Sequence, residues 1–126
     1  LADDALMAVV LIVEDEVFIR MVAEMTIESL GHCTLVAGNV AQALAHLAGP
    51  DRIDAMFVDL RLQNDRSGGF EVARHAVNIR PDMRVLYTSG TNLTSEMELL
   101  FVHGGQFLLK PYSPEHLIFA FERLFI

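Results

Sequence analysis

"LIVEDEVFIR", residues 11–20, passes from aliphatic side chains to three consecutive acids, Glu14, Asp15 and Glu16, and then to a segment of mixed polarity. An apolar block that ends abruptly in charge and gives way to helical spacing marks a βα unit. Carboxylates packed side by side repel, and each raises the pKa of the next unless a cation or basic residue compensates. The stretch therefore predicts a strand end and, at that end, a place that attracts positive charge.

The same alternation recurs down the chain. Apolar blocks stand at 8–13 ("AVVLIV"), 33–37 ("CTLVA"), 54–58 ("DAMFV"), 84–88 ("RVLYT") and 106–109 ("QFLL"), which gives five strands. Between them apolar residues recur at three- and four-residue spacing. Val17, Met21, Met25 and Leu30 mark the inward side of a first helix, Val40, Leu44 and Leu47 that of a second, and Phe70, Val72, Ala73 and Val77 that of a third. Two more helices are expected around 93–102 and 114–124. Gly31, Gly49-Pro50, Pro81-Asp82 and Gly104-Gly105 follow the helices, where caps and breakers belong. Strands that are apolar throughout are buried on both faces, so helices cover both sides of a parallel, doubly wound α/β sheet. Ligands in such sheets bind beyond the carboxyl ends of the strands.

With 126 residues the chain has room for one domain, 1–126, with a core at about 9–124. A formal net charge of -8 argues against direct binding of nucleic acid through its phosphates. The longest apolar run, "ALMAVVLIV" from Ala5 to Val13, is too short to span a bilayer and lacks the basic flank of a signal peptide. With Cys33 as the only cysteine, no internal disulfide can form, and a cytoplasmic address is expected. Cys33 itself reads as a small buried or half-buried apolar residue. The five histidines, His32, His46, His75, His103 and His116, show no ligand spacing.

The chemistry gathers at the strand ends. Glu14 and Asp15 close the first strand, and Asp59 closes the third in the same relation to its apolar block. An oxygen-only acidic cluster suits a hard cation such as Mg²⁺. Glu16 is better read as an acid opening the first helix. Thr88 and Ser89, followed by Gly90, end the fourth strand, and Lys110, the only lysine of the chain, follows the fifth. A carboxylate can act as a nucleophile toward phosphorus when a metal and a cation neutralise the phosphoryl oxygens. Asp59, on a central strand, is the best candidate for that nucleophile.

Taken together, "VEDE" (13–16), "FVDL" (57–60), "YTSG" (87–90) and "LLKP" (108–111) resemble the receiver domain of two-component response regulators over essentially the whole chain. The resemblance implies a flavodoxin-like sheet of strand order 2-1-3-4-5 with five helices. It implies that Asp59 accepts a phosphoryl group from a histidine kinase or histidine phosphotransfer protein. Mg²⁺ would be held by Glu14, Asp15, Asp59 and the backbone carbonyl of Arg61, with Glu14 acting through water. Thr88 and Lys110 would contact the phosphoryl oxygens. Phe107, three positions before the lysine, falls where the family carries a switch aromatic; its rotation with Thr88 would remodel the face of helix 4, strand 5 and helix 5. Three departures stand out. Glu14 replaces the commoner Asp, the loop "LRLQNDRSGG" lacks the frequent proline and sets Gly68 one position late, and Phe107 has no hydroxyl.

The expected function is thus a switch that phosphorylates and dephosphorylates itself, without metabolic turnover and without a membrane or direct nucleic-acid partner. The apolar C-terminal helix, with Phe119, Phe121, Leu124, Phe125 and Ile126, suggests a homodimer or partner face. Other classes fit less well. A degenerate receiver would bind partners without phosphorylation. A phosphatase with an Asp nucleophile would want a second acid two positions on, where Arg61 stands. A flavin mononucleotide site would find its anion repelled by the acids after the first strand.

Overall fold

A computed structural model describes residues 7–63 and 65–126. Ala5 and Leu6, the start of the longest apolar run, and Asn64 in the loop after Asp59 lie outside the described residues. Five parallel strands, β1 (Val9–Val13), β2 (Cys33–Ala37), β3 (Ala55–Asp59), β4 (Arg84–Ser89) and β5 (Gln106–Leu109), lie in the order β2-β1-β3-β4-β5. Five helices connect them: α1 (Val17–Ser29), α2 (Val40–Ala48), α3 (Gly68–Ile79), α4 (Ser95–Leu99) and α5 (Pro114–Arg123). The fold is the flavodoxin-like one expected, and each strand matches its apolar block to within one residue at either end.

Two apolar layers explain why the central strands are apolar throughout. One packs Leu11, Val13, Met56, Val58, Val85 and Tyr87 against Ala43, Leu47, Val72 and Ala73 of α2 and α3. The other packs Val10, Ile12, Phe57 and Leu86 against Ala23 and Ile27 of α1 and Leu117 and Phe121 of α5. Every residue of β3 is buried, whereas the edge strands β2 and β5 are only partly covered. Side chains start three of the helices: Asn39 accepts from Gln42 N–H, Thr94 from Met97 N–H and Ser113 from His116 N–H. Gly31 and Gly104 take positive φ (94° and 78°) in the turns after α1 and α4, as breakers at those positions should.

Three expectations are corrected. In α1 the spacing largely misplaced the inward face: Val17, Met21 and Met25 are exposed, only Leu30 packs against the core, and the buried residues are Ala23, Thr26 and Ile27. The helix is apolar around most of its circumference, so spacing alone could not choose a side. Ala23 and Ile27 pack into the layer against the sheet, and the buried Thr26 hydroxyl is satisfied by Val22 O at 2.7 Å. The fourth helix ends at Leu99 instead of running to 102, because Val102 N–H donates to the Tyr87 hydroxyl (3.0 Å) and Phe101 turns inward to stack on Tyr87. Cys33 is exposed, since it opens an edge strand, and its sulfur lies 3.9 Å from that of Met7.

Candidate functional site

Parallel pairing brings the predicted residues to one end of the sheet. β1 lies between β2 and β3, and Asp59 at the end of β3 is in register with Thr88 on β4. Oxygens of Glu14, Asp15 and Asp59 all lie within 4.8 Å of one another, the only such group among the described residues. Two of the histidines are engaged elsewhere: His32 Nδ1 accepts from Ala8 N–H, and His46 contacts Val36 O.

The acids differ in setting. Glu14 and Asp59 are buried, at 3% and 6% exposure, and Asp15 is half-buried. Glu16 is exposed and stands at the N-cap of α1, as the simpler reading of that residue had it. Each of the three acids is fixed by backbone: Glu16 N–H donates to Glu14 Oε2 (3.1 Å), Arg61 N–H to Asp59 Oδ1 (3.2 Å) and Gln63 N–H to Asp15 Oδ2 (2.9 Å). Arg20 adds a bond from its guanidinium to Glu14 O (3.0 Å), tying α1 to the strand end.

Lys110 reaches back over the acids from the end of β5. Its Nζ donates to Asp59 Oδ2 at 2.6 Å and lies 2.7 Å from Glu14 Oε1. The second contact is an ion pair off hydrogen-bond alignment, which leaves the buried Glu14 Oε1 without a hydrogen-bond partner. Burial lifts the Glu14 carboxyl to about 7; Lys110 opposes the rise and the charge of Asp59 adds to it. For Lys110 burial disfavours the charged form, but the hydrogen bond to Asp59 and the attraction of the Asp59 and Glu14 carboxylates outweigh it and the pKa is raised. One ammonium among three carboxylates leaves the site with an excess of negative charge.

Beside these groups opens a cavity of about 420 Å³, whose wall includes Asp15, Asp59, Arg61, Gln63, Ser89 and Lys110. Thr88 is not on that wall. It is buried, and its hydroxyl donates to Leu108 O on β5 (2.7 Å). Phe107 is half-buried on β5 and packs near Phe101, with centroids 6.3 Å apart. Arg61 contributes its N–H to Asp59, and its side chain is exposed.

Sequence reasoning missed several residues. Gln63 holds Asp15 from 48 positions away, and the only local signal was the odd loop it sits in. The glycine that matters in that loop is Gly69, not Gly68. A Cβ at Gly69 would lie 2.3 Å from Asp59 O and 2.6 Å from Leu60 Cα, whereas one at Gly68 would meet only side chains at 3.2 Å or more. Gly69 N–H also donates to Leu60 O (2.9 Å), so α3 starts directly against the backbone of the acid.

The family model for the response regulator receiver domain matches residues 10–122. The chain belongs to this family. Receiver domains work in two-component signalling, and the chain shares their fold with many solved structures. A response regulator receiver protein from Sinorhizobium medicae is 28% identical, with a TM-score of 0.83 over 93% of both chains. The chemotaxis response regulator CheY4 of Vibrio cholerae is 25% identical, with a TM-score of 0.80 over 94% of this chain and 98% of that one. NtrX from Brucella abortus is 27% identical, with a TM-score of 0.80, and the match covers 93% of this chain but 26% of NtrX. No curated protein sequence matches the chain.

The receiver's acids fit a divalent cation. All donors are oxygen, they converge, and the buried Glu14 Oε1 lacks a hydrogen-bond partner. Among the described residues no helix is long and apolar enough to cross a membrane.

Proposed function

We propose that the receiver fold spanning about 9–124 is a phosphorylation switch in which Asp59 takes a phosphoryl group from the phosphohistidine of a histidine kinase or phosphotransfer protein. An oxygen of Asp59 attacks phosphorus, the P–N bond breaks, and the imidazole leaves with the bonding pair and takes up a proton. The observation that carries this reading is Asp59 itself: a carboxylate buried at a strand end, oriented by Arg61 N–H and Lys110, and open to a cavity. Glu14, Asp15, Asp59 and the Arg61 carbonyl would hold Mg²⁺, which when bound neutralises phosphoryl charge. Lys110 supplies a further positive charge for the phosphoryl oxygens.

Thr88 would give up Leu108 O for a phosphoryl oxygen, and Phe107 would follow it. That exchange alters the face built from α4, β5 and α5, where Leu99 and Phe119 are exposed, and shifts affinity for a partner, which could be a second copy of the chain. The reaction is stoichiometric and falls on the protein's own side chain, so it is a switch and not metabolic turnover. A kinase that draws phosphoryl groups from ATP operates in the cytoplasm, and the reading assigns the domain there.

The test is incubation with acetyl phosphate, with and without Mg²⁺, followed by intact mass, beside an Asp59→Asn variant. One added phosphoryl group that needs both Mg²⁺ and Asp59 is the expected result. A folded, Mg²⁺-binding protein that gains none would be a phosphorylation-independent binding module.

A further inference from the structure

Gln63 is the one residue other than glycine with a positive φ (57°) among the described residues. That backbone region is disfavoured for a residue with a side chain and persists where the surroundings over-determine it. Here two anchors do so. Gln63 N–H donates to Asp15 Oδ2 (2.9 Å), and Leu62 and Asp65 on either side exchange two backbone hydrogen bonds of 3.0 Å. Leu62 is itself buried, so the loop apex is pinned to the core on one side and to an acid of the site on the other. The conformation sets Gln63 on the cavity wall with Asp59 and Lys110.

We infer that Gln63 is the water-positioning residue for hydrolysis of phosphoryl-Asp59, a role that rests on the phosphoacceptor reading above. In that step a water oxygen attacks phosphorus opposite the Asp59 oxygen and the P–O bond to Asp59 breaks. The carboxylate is restored, and dihydrogen phosphate leaves carrying both water protons. Such a loose transition state asks little of a base and much of orientation. A positioning group has to accept a proton contact from the water and donate to a phosphoryl oxygen at once. Arg61 and Lys110 only donate, and ionised Asp15 and Glu16 only accept. The Ser89 hydroxyl already accepts Thr91 N–H (3.1 Å), and the Ser89 and Thr91 side chains are two bonds shorter than that of Gln63. The Gln63 carboxamide has both an acceptor and a donor, on a backbone whose N–H is bonded to Asp15.

The experiment charges the wild type, Gln63→Ala, Gln63→Gly and Gln63→Asn with acetyl phosphate and Mg²⁺, removes the donor, and follows loss of the phosphoryl mass. Mg²⁺ affinity is read by titration calorimetry on the same proteins. The Gly variant removes the amide and also relieves the backbone, so agreement between Ala and Gly separates chemistry from strain. Expected is a phosphoryl lifetime longer by on the order of tenfold in both, a smaller increase in Asn, and unchanged Mg²⁺ affinity. Equal lifetimes in wild type and Ala would overturn the role of Gln63 alone. So would a longer lifetime that tracks a loss of Mg²⁺ affinity, since the effect would then run through Asp15. A wild type that takes no phosphoryl group would overturn the phosphoacceptor reading and this role with it.

Discussion

Lys110 Nζ lies 2.6 Å from Asp59 Oδ2 and spans the gap to Glu14, so one ammonium balances two buried carboxylates contributed by different strand ends. Removing it leaves both acids uncompensated. Lys110→Ala should cost on the order of 3 kcal/mol of stability without divalent cation, measured by urea unfolding, and Mg²⁺ should restore much of it. A loss below about 1 kcal/mol, typical of exposed pairs, would mean that water already screens the acids.

Glu14 sets a pH dependence. Its folded pKa of about 7 exceeds the ordinary 4.5, so the folded protein binds the proton more tightly than the unfolded chain does. The stability that this supplies is complete below about pH 4.5 and is lost as pH rises through about 7. The metal-free protein should therefore weaken across that window, and Glu14→Gln should flatten the slope. Because Mg²⁺ competes with the same proton, its affinity should climb over the same range. Parallel stability profiles for wild type and variant would sink the assignment.

Gly69 tolerates no side chain. Its Cβ would meet main-chain atoms of Asp59 and Leu60, which cannot swing aside, whereas a Cβ at Gly68 would meet side chains that can yield. Gly69→Ala should destabilise by about 3 kcal/mol or more and Gly68→Ala by about 1 kcal/mol or less, read from thermal unfolding. Similar costs at the two positions would show that the start of α3 can slide.

Tyr87 and Phe101 stack with centroids 4.1 Å apart, and the Tyr87 hydroxyl caps Val102 N–H. Tyr87→Phe keeps the stack and removes only the acceptor. It should cost about 1 kcal/mol and speed hydrogen exchange at the Val102 amide, with little change at the amides of β1. Unchanged exchange at Val102 would show that another acceptor or water holds it.

Phe18, at 82% exposure, and Met25 stand out from α1, and Phe18 with Val22 borders a groove that ends at Lys110 and Gly90. A protein donor that brings a phosphohistidine to Asp59 has to cover that side of the cavity, whereas a small-molecule donor does not. Phe18→Asp should slow transfer from a cognate kinase by about tenfold or more and leave labelling by acetyl phosphate alone. Equal loss with both donors would point to damage in the site itself.

Strands and site acids were legible because the signals are local. An apolar block that ends in Asp59 or Lys110 needs no knowledge of the rest of the chain, and parallel pairing then brings those ends together. What stayed hidden depends on long-range packing. No spacing rule tells which side of a nearly all-apolar α1 is inward, or that Val102 N–H prefers a tyrosine hydroxyl to another turn of helix. The bond from Gln63 to Asp15 arises from a backbone conformation that glutamine seldom adopts, so residue type gave no hint of it. The orientation of Thr88, away from the cavity and onto Leu108, is a rotamer choice that sequence does not encode.

The solitary lysine carries a consequence for modification chemistry. Across these 126 residues the only ε-amino group is the one held between Glu14 and Asp59. Any enzyme or reagent that acylates lysine side chains thus has a single address on this sequence, among the acids at the strand ends. Acetylation there would erase the positive charge and set two buried carboxylates against each other. In most proteins lysine acylation is spread over a surface that barely registers it; here it would fall on the charge balance of the acidic cluster itself.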